Sequence, residues 1–320
     1  MTRSYKHLFG PVPSRRFGRS LGIDLTPFKI CSYDCVFCQL GRTTRLTLAR
    51  ENFVDLDETL SEIEHWLKND GKADQITLAG SGEPTLHAGF GEVISFVKAR
   101  TRIPVAVLTN GSMLYLPEVR KAAAQADIVK ISLSAWDQES LEKINRPAPG
   151  YRFEQLIEGE KQFRNEFSGK LWIEVFMLDG INSTPAEVAK IAAFVRQIRP
   201  DRVQLNTCVR PPAEESARAV PEKSLRELAT VFEPAAEIIA EYRAADGGEV
   251  KVNEQAILEM LQRRPCTADQ IAEVFGMHLN EVSKYLGMLT RSDLVTATHR
   301  NNDVYYFARK NSGRAACLKE

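Results

Sequence analysis

From Leu21 to about Asn206 the chain alternates short β-rich runs with helical stretches, and no other feature limits its fold so strongly. The runs are LGIDL (21–25), QITLAG (75–80), IPVAVLTNG (103–111), DIVKISLSA (127–135), LWIEVFML (171–178) and DRVQLNT (201–207). Most are continuously apolar, as expected of parallel strands covered by helices. Six β/α units predict an α/β fold, a partial (β/α)6 TIM-type barrel two units short of the full eight.

The helices between the runs have readable ends. In STPAEVAKIAAFVRQIR, Thr184 suits the N-cap, Pro185 the first helical position and Glu187 a capping box, while Val188, Ile191, Ala192, Val195 and Ile198 form one apolar stripe. A second helix is predicted from about Asp57 to Asn69, with Leu60, Ile63 and Leu67 inward and Gly71 at its C-terminal stop. A third is predicted over 221–242, and RAADGGEV (243–250) reads as a linker. Beyond it, NEQAILEMLQRR, TADQIAEVFG and LNEVSKYLGMLTRS read as three helices, and LVTATHRNNDVYYFA as a hairpin turning at Asn301 to Asp303. Met277, Leu286 and Met288 are expected in the core of this part. The organisation predicted is a barrel domain over 1–245 and a winged helix-turn-helix domain over 249–320.

Apolar residues make up 43% and charged residues 26% of the 320, enough for a substantial core and too few charges for disorder. The net charge is zero, which argues against a general nucleic-acid coat, but residues 1–50 hold nine Lys/Arg against two Asp. Arg15, Arg16, Arg19, Arg42 and Arg45 are expected around the barrel mouth, where arginine's planar fork suits phosphate or carboxylate. No apolar run approaches a membrane span or a signal peptide, and six sparse cysteines fit a reducing compartment, so a cytoplasmic protein is expected.

Three of those cysteines fall within eight positions. KICSYDCVFCQLGR (29–42) carries Cys31, Cys35 and Cys38, and the next cysteine is Cys208. A structural zinc or a ferredoxin cluster needs four protein ligands, and no histidine lies between His7 and His65 to supply a local fourth. A four-iron cubane held by three thiolates keeps one iron open, which is what a catalytic centre requires.

CSYDCVFC resembles the C-x3-C-x2-C signature of radical SAM enzymes. The resemblance implies a [4Fe-4S] cluster on Cys31, Cys35 and Cys38 and S-adenosylmethionine (SAM) on the open iron, cleaved reductively to methionine and a 5′-deoxyadenosyl radical that abstracts hydrogen from a substrate. AGSGEPTLH (79–87) resembles the family's Gly-Gly-Glu-Pro motif with Ser81 in place of the first glycine, which implies that Ser81, Gly82 and Glu83 hold the cofactor's methionine end. The same resemblance implies cofactor contacts from Thr109 and Asn110 after the third strand, from Ser132 and Ser134 after the fourth, and from Phe37 beside adenine. It also implies a low-potential electron donor such as flavodoxin or ferredoxin. GPVPSRRFGRSLGIDLTPFKICSYDCVFCQLGRTT, SLSAWDQESLEKINRP and LNTCVRPPAE further resemble a subgroup loosely grouped with the wyosine-forming tRNA enzyme, although this chain lacks the N-terminal cysteines of that enzyme's second cluster.

Cys208, leaving the sixth strand at the end where barrel active sites lie, is a candidate hydrogen-atom donor or substrate contact, with Arg210 beside it. The substrate expected is anionic, RNA or a small molecule. The alternatives are a peptide-modifying enzyme and an iron-sulfur sensor coupled to the winged helix without turnover. Residues 249–320 hold ten basic and nine acidic side chains, so an interaction or dimerisation module is expected there rather than a strong nucleic-acid binder. Arg300 and Asn301 remain candidate contacts on the wing.

Overall fold

A computed structural model describes residues 5–14, 18–27, 29–239, 254–275, 277, 279–300 and 303–309. The chain divides into two compact units, residues 1–241 and 242–320. Arg15, Arg16, Asn301 and Cys317 lie outside the described residues.

The first unit begins with β1 (Leu8–Ser14) and β2 (Gly18–Ile23), followed by the two-residue strands β3 (Ile30–Cys31) and β4 (Arg45–Leu46). Then come α1 (Leu56–Asn69), β5 (Gln75–Leu78), α2 (Phe90–Lys98), β6 (Val105–Thr109), α3 (Pro117–Ala123) and β7 (Ile128–Ser132). The unit continues with α4 (Gln138–Ile144), α5 (Phe153–Glu166), β8 (Lys170–Met177), α6 (Pro185–Ile198), β9 (Arg202–Thr207), α7 (Glu222–Ala229) and β10 (Glu237–Ile238). One sheet has the order β1-β2-β5-β6-β7-β8-β9-β10, antiparallel only between β1 and β2. The six predicted runs are therefore consecutive parallel strands, and the sheet stays open at β1 and β10.

The strands are less uniformly apolar than the sequence suggests. Leu21, Ile76, Val107, Ile131, Ile173 and Leu205 join the core that includes the helices. The residues between them point to the opposite, inner face, as the two-residue period of a strand requires. That face carries Ser20 hydrogen-bonded to Thr77 (2.7 Å), and Lys130 paired with Glu174, which also accepts from Asn206 Nδ2 at 3.0 Å. These polar side chains are buried.

Helix α6 has the predicted cap: Thr184 accepts from the Glu187 N–H, Glu187 answers as a capping box, and all five stripe residues are buried. Helix α1 is capped by Asp55, and the Asp70 and Gly71 N–H groups both close on Trp66 O, with Gly71 at φ +54°. Its deepest apolar side chains are Ile63 and Trp66, while Leu60 and Leu67 flank them half-buried. The helix predicted over 221–242 stops at Ala229. Pro234 has no N–H to continue it, and Glu237–Ile238 instead adds a short parallel strand beside β9. β1 was not among the predicted runs because Gly10, Pro11 and Pro13 break its pattern. It survives as an edge strand with a register shift between Phe9 and Val12, the setting in which strand prolines are tolerated.

The second unit holds α8 (Glu254–Arg263), α9 (Ala268–Phe275), α10 (Leu279–Arg291) and the antiparallel pair β11 (Val295–Arg300) and β12 (Asp303–Ala308). Cys266, between α8 and α9, exchanges two backbone hydrogen bonds with Tyr306 and adds a one-residue bridge to the hairpin. Asp303 already pairs with Arg300, so it belongs to the strand and not to the turn. Leu286 is in this core and Met277 packs against it, but Met288 is 42% exposed on α10, contrary to its expected place.

Candidate cluster and cofactor site

The three clustered cysteines sit on the loop that leaves β2. The loop is folded on itself by the parallel pairing of β3 with β4 and by Thr44 N–H to Lys29 O (3.0 Å) and Thr47 N–H to Cys31 O (3.0 Å). Its far side rests on the end of α4, through Val36 N–H to Ile144 O (3.0 Å), Asp34 N–H to Asn145 O (2.9 Å) and Ala148 N–H to Ser32 O (2.9 Å). Each sulfur has its own nitrogen neighbour. Lys29 Nζ donates to Cys38 Sγ at 2.9 Å, Asn145 Nδ2 to Cys35 Sγ at 3.3 Å, and Asn110 Nδ2 approaches Cys31 Sγ at 3.7 Å.

The AGSGEP turn is locked to this loop from the other side. Lys29 N–H donates to Ser81 O (2.8 Å) and Glu83 N–H to Ile30 O (3.2 Å). A Cβ on Gly82 would lie 1.8 Å from Ile30 O, so glycine is obligatory for this approach. Gly82→Ala is expected to push the turn off the loop, lowering the melting temperature and the iron retained after anaerobic reconstitution. Asp24 cradles the turn: it accepts from Ser81 N–H (3.0 Å) and from Ser81 Oγ (2.6 Å).

Glu83 is 2% exposed, and its carboxylate is taken up by protein donors: Thr85 N–H (3.1 Å), Thr85 Oγ1 (2.5 Å), Thr109 Oγ1 (2.6 Å) and Asn110 N–H (2.8 Å). Burial raises its pKa, against the pull of those bonds. Its side chain thus joins the turn to the end of β6, leaving backbone and Ser81–Gly82 as the turn's exposed part. Asn110 is likewise held, donating to Ser32 Oγ at 2.8 Å and accepting from Ser112 N–H at 2.9 Å.

The remaining candidates gather elsewhere on the carboxyl edge of the sheet. Phe37 stacks on Phe176 at 4.2 Å between centroids and 9° between planes, and Cys208 packs in the same apolar cluster. Ser134 is buried and its Oγ accepts from Phe176 N–H at 3.0 Å, while Ser132 ends β7 half-buried on the inner face. Arg210 is buried beyond β9. The structure thus brings Cys31, Ser81, Gly82, Glu83 and Asn110 into one hydrogen-bonded neighbourhood and Phe37, Ser134 and Cys208 into a second.

Of the described arginines expected at the mouth, Arg19 lies away from it, while Arg42 and Arg45 stay on the cluster loop in ion pairs. Arg19 pairs with Asp74 at the amino-terminal end of β2 and β5, opposite the mouth. Arg42 is bonded to Asp34 (2.9 Å) and Glu214 (2.8 Å), and Arg45 to Glu51 (2.5 Å).

Three residues of the site escaped sequence reasoning. Lys29 and Asn145 bond cluster-loop sulfurs from outside the CSYDCVFC signature, and Asp24 holds Ser81. The available signals were a lysine two positions before the first cysteine, the INRP segment already noticed for its resemblance, and an isolated Asp in a basic stretch.

The donor set fits an iron-sulfur cluster. Burial pushes the Cys31 thiol up to about 12 and the Cys35 thiol up as well, with the neighbouring thiols adding to the Cys35 effect. Burial works against the Lys29 ammonium, but the facing Cys38, Cys31 and Cys35 raise its pKa overall. Among the described residues, no three His, Cys, Asp or Glu side chains converge on a single metal ion. A cubane needs no such shared point, because each thiolate binds a different corner. Since thiols must lose their protons to bind iron, loading should rise with pH; iron per chain after reconstitution is expected to increase between about pH 7 and about pH 8.5. Lys29→Met removes a cation beside Cys38 and with it stabilisation of the reduced state. The reduction potential should fall by tens of millivolts in order of magnitude, as read by potentiometric titration.

The radical SAM superfamily model matches residues 25–195. The chain belongs to the radical SAM superfamily. This radical SAM chain is 33% identical over 248 residues to UPF0026 protein MJ1312 of Methanocaldococcus jannaschii, covering 77% of this chain and 76% of that protein. It is 32% identical over 267 residues to a UPF0026 protein of Helicobacter pylori, covering 82% of this chain and 86% of that protein. A Brachyspira hyodysenteriae protein named GTPase Obg is 38% identical over 294 residues, 91% of this chain, but the chain spans only 43% of that protein's length. Among solved structures, a radical SAM methyltransferase from Sphaerobacter thermophilus matches with TM-score 0.53 at 17% identity, over 68% of this chain and 65% of that one. TYW1 with a lysine-pyruvate adduct matches with TM-score 0.52 at 16% identity, over 72% and 77%. At these identities the two structures establish the shared partial-barrel fold alone. The superfamily's members are enzymes that use a [4Fe-4S] cluster and SAM and draw an electron from a reductant. No helix among the described residues is long and apolar enough to cross a membrane.

Proposed function

We propose that Cys31, Cys35 and Cys38 hold the [4Fe-4S] cluster and that the Ser81–Gly82 turn, Asn110 and Phe37 border the bound SAM. The cluster, once reduced, supplies the electron for SAM cleavage. The observation that carries this reading is the separate hydrogen-bond donor at each of three sulfurs on one folded loop, with the glycine-dependent turn locked against it. Flavodoxin or ferredoxin suits the electron-donor role.

The substrate reading turns on the inner face of the sheet. Lys130 on that face is neutralised by Glu174, and the described members of the arginine set expected to collect anions, Arg19, Arg42 and Arg45, are ion-paired, Arg19 at the opposite end. A small polar molecule bound by hydrogen bonds in the barrel therefore leads, with Cys208 near its path as a hydrogen-atom donor or contact. RNA is the second reading. A relative 27% identical over 52% of this chain, from Endomicrobium trichonymphae, is named a probable dual-specificity RNA methyltransferase RlmN. The domain boundaries proposed are 1–245 and 249–320. Three helices, a hairpin and the Cys266–Tyr306 bridge support a winged helix-turn-helix in the second domain, serving as an interaction or dimerisation module.

The test supplies reconstituted enzyme, reductant and SAM with three fractions of anaerobic lysate: a small-molecule filtrate, purified RNA and a peptide digest. 5′-Deoxyadenosine formed above the rate without substrate should appear with the filtrate. Stimulation by RNA alone, or by peptides alone, contradicts the leading reading.

A further inference from the structure

Glu160 on α5 is fully enclosed, and neither of its carboxyl oxygens has a hydrogen-bond partner. It lies against the turn that carries Asn110: a Cβ on Gly111, whose φ is +81°, would stand 2.7 Å from Glu160 Oε1. The preceding residue allows this closeness, since a Cβ on Gly159 would meet Tyr115 N at 2.5 Å. Two phenols lie close by, reached through Tyr115, whose ring meets that of Tyr151 at 6.1 Å. Tyr33, between Cys31 and Cys35, and Tyr151, just before α5, are each 2% exposed, meet edge to face at 5.8 Å, and leave both hydroxyls without a partner of normal geometry. Burial, first of all, raises the pKa of both phenols, and the nearby Glu160 carboxyl adds to it.

The two Glu160 oxygens have no protein partner and would bear an uncompensated desolvation cost, while the two phenol hydroxyls meet one another in poor geometry. Buried polar groups of this kind are ordinarily completed by internal water with two to four polar neighbours.

We propose that Tyr33, Tyr151 and Glu160 enclose a buried water site, and that Glu160 is a positioning residue holding the Asn110–Gly111 turn against the cluster loop. The water site stands independently of the proposed function; the positioning role rests on it. The titratable groups around this space are Tyr33 on the cluster loop, Tyr151 before α5, Tyr115 after β6, and Glu83 and Cys35 beyond the two phenols. Burial alone acts on Glu160, with no basic group among its influences, and keeps its proton on well above the ordinary 4.5.

Above pH 4.5 the unfolded chain releases the Glu160 proton while the folded chain retains it, so this residue makes stability fall as pH rises. Glu160→Gln keeps the shape and a donor but cannot ionise. Its folding equilibrium constant relative to the parent should improve by up to about tenfold per pH unit above the ordinary carboxyl value, until Glu160 itself ionises in the fold. Below that value the difference between the two proteins should no longer change with pH.

The second readout is the electron paramagnetic resonance spectrum of the reconstituted, reduced protein with SAM. Glu160→Gln should keep the parent spectrum, whereas Glu160→Leu, which fills space without hydrogen bonding, should shift the g-values. Should Glu160→Leu fail to fold, Tyr151→Phe removes one of the water's partners and is expected to shift the same signal. A crystal structure with no ordered solvent between these side chains overturns the water site, and a pH-independent gap between Glu160→Gln and the parent overturns the protonated, unpartnered carboxyl on which it rests. A parent spectrum in the folded Leu or Phe variant overturns the positioning role. Failure of the parent to take up iron would instead contradict the proposed function, and the crystal structure would still decide the water site.

Discussion

Cys35→Ala is expected to lose its iron and, with it, the cleavage of SAM down to the protein-free background. Cys35 is the middle thiol of the loop and the one whose sulfur is bonded by Asn145 from the end of α4. A cubane held by the two remaining thiolates has two open irons, and no His, Cys, Asp or Glu cluster among the described residues offers a replacement. Reconstituted parent protein should hold about four irons per chain, the alanine variant far fewer. The loop's backbone bonds to residues 144–148 do not involve the thiol, so the apoprotein fold should survive. Iron content, 5′-deoxyadenosine by chromatography and the apoprotein melting curve separate these effects. Parent-level iron and cleavage in the variant would remove Cys35 from the ligand set.

Lys130→Met carries the largest expected loss of stability. The Lys130 and Glu174 side chains are 8% and 10% exposed and face one another across β7 and β8 on the inner face. Removing the ammonium leaves a buried carboxylate with Asn206 Nδ2 as a remaining donor at 3.0 Å. Breaking such a pair costs about 3–5 kcal/mol, whereas replacing both members with apolar residues is often near neutral. The single variant should therefore unfold at markedly lower denaturant, and Lys130→Met/Glu174→Leu should recover most of the difference. Full recovery of stability together with lost substrate-stimulated SAM cleavage would assign the pair to the substrate site. A single variant within about 0.5 kcal/mol of the parent would mean that the pair is effectively solvated.

The architecture was legible because the helix-facing halves of the strands are apolar and several helices carry strong ends. Thr184, Pro185 and Glu187 mark the start of α6 by local chemistry alone, and the structure keeps every one of those roles. What local chemistry does not encode was missed. β1 is held by pairing with β2 despite its prolines, and α7 is cut short because Pro234 and the edge of β9 offer a strand instead.

The site divides in the same way. The CSYDCVFC spacing and the glycine of SGEP carry their meaning within a few residues, and the fold brings them into contact through Lys29–Ser81 and Ile30–Glu83 bonds. Asn145 stands 110 positions from Cys35, and its role depends on α4 ending against the cluster loop. The charge of the basic stretch misled for a related reason. A basic stretch reports composition, while Asp74, Asp34, Glu214 and Glu51, which partner its described members, come from elsewhere in the chain or the loop. Lys130 and Glu174 were hidden inside runs that look continuously apolar, since only alternation in the folded sheet distinguishes their face.

The most direct measurement is the electron paramagnetic resonance spectrum of anaerobically reconstituted, dithionite-reduced protein recorded with and without SAM. An iron left uncoordinated by protein should respond to chelation by the amino acid end of SAM, giving g-values that move on addition. A cluster signal that is identical in both samples would contradict the account at its centre.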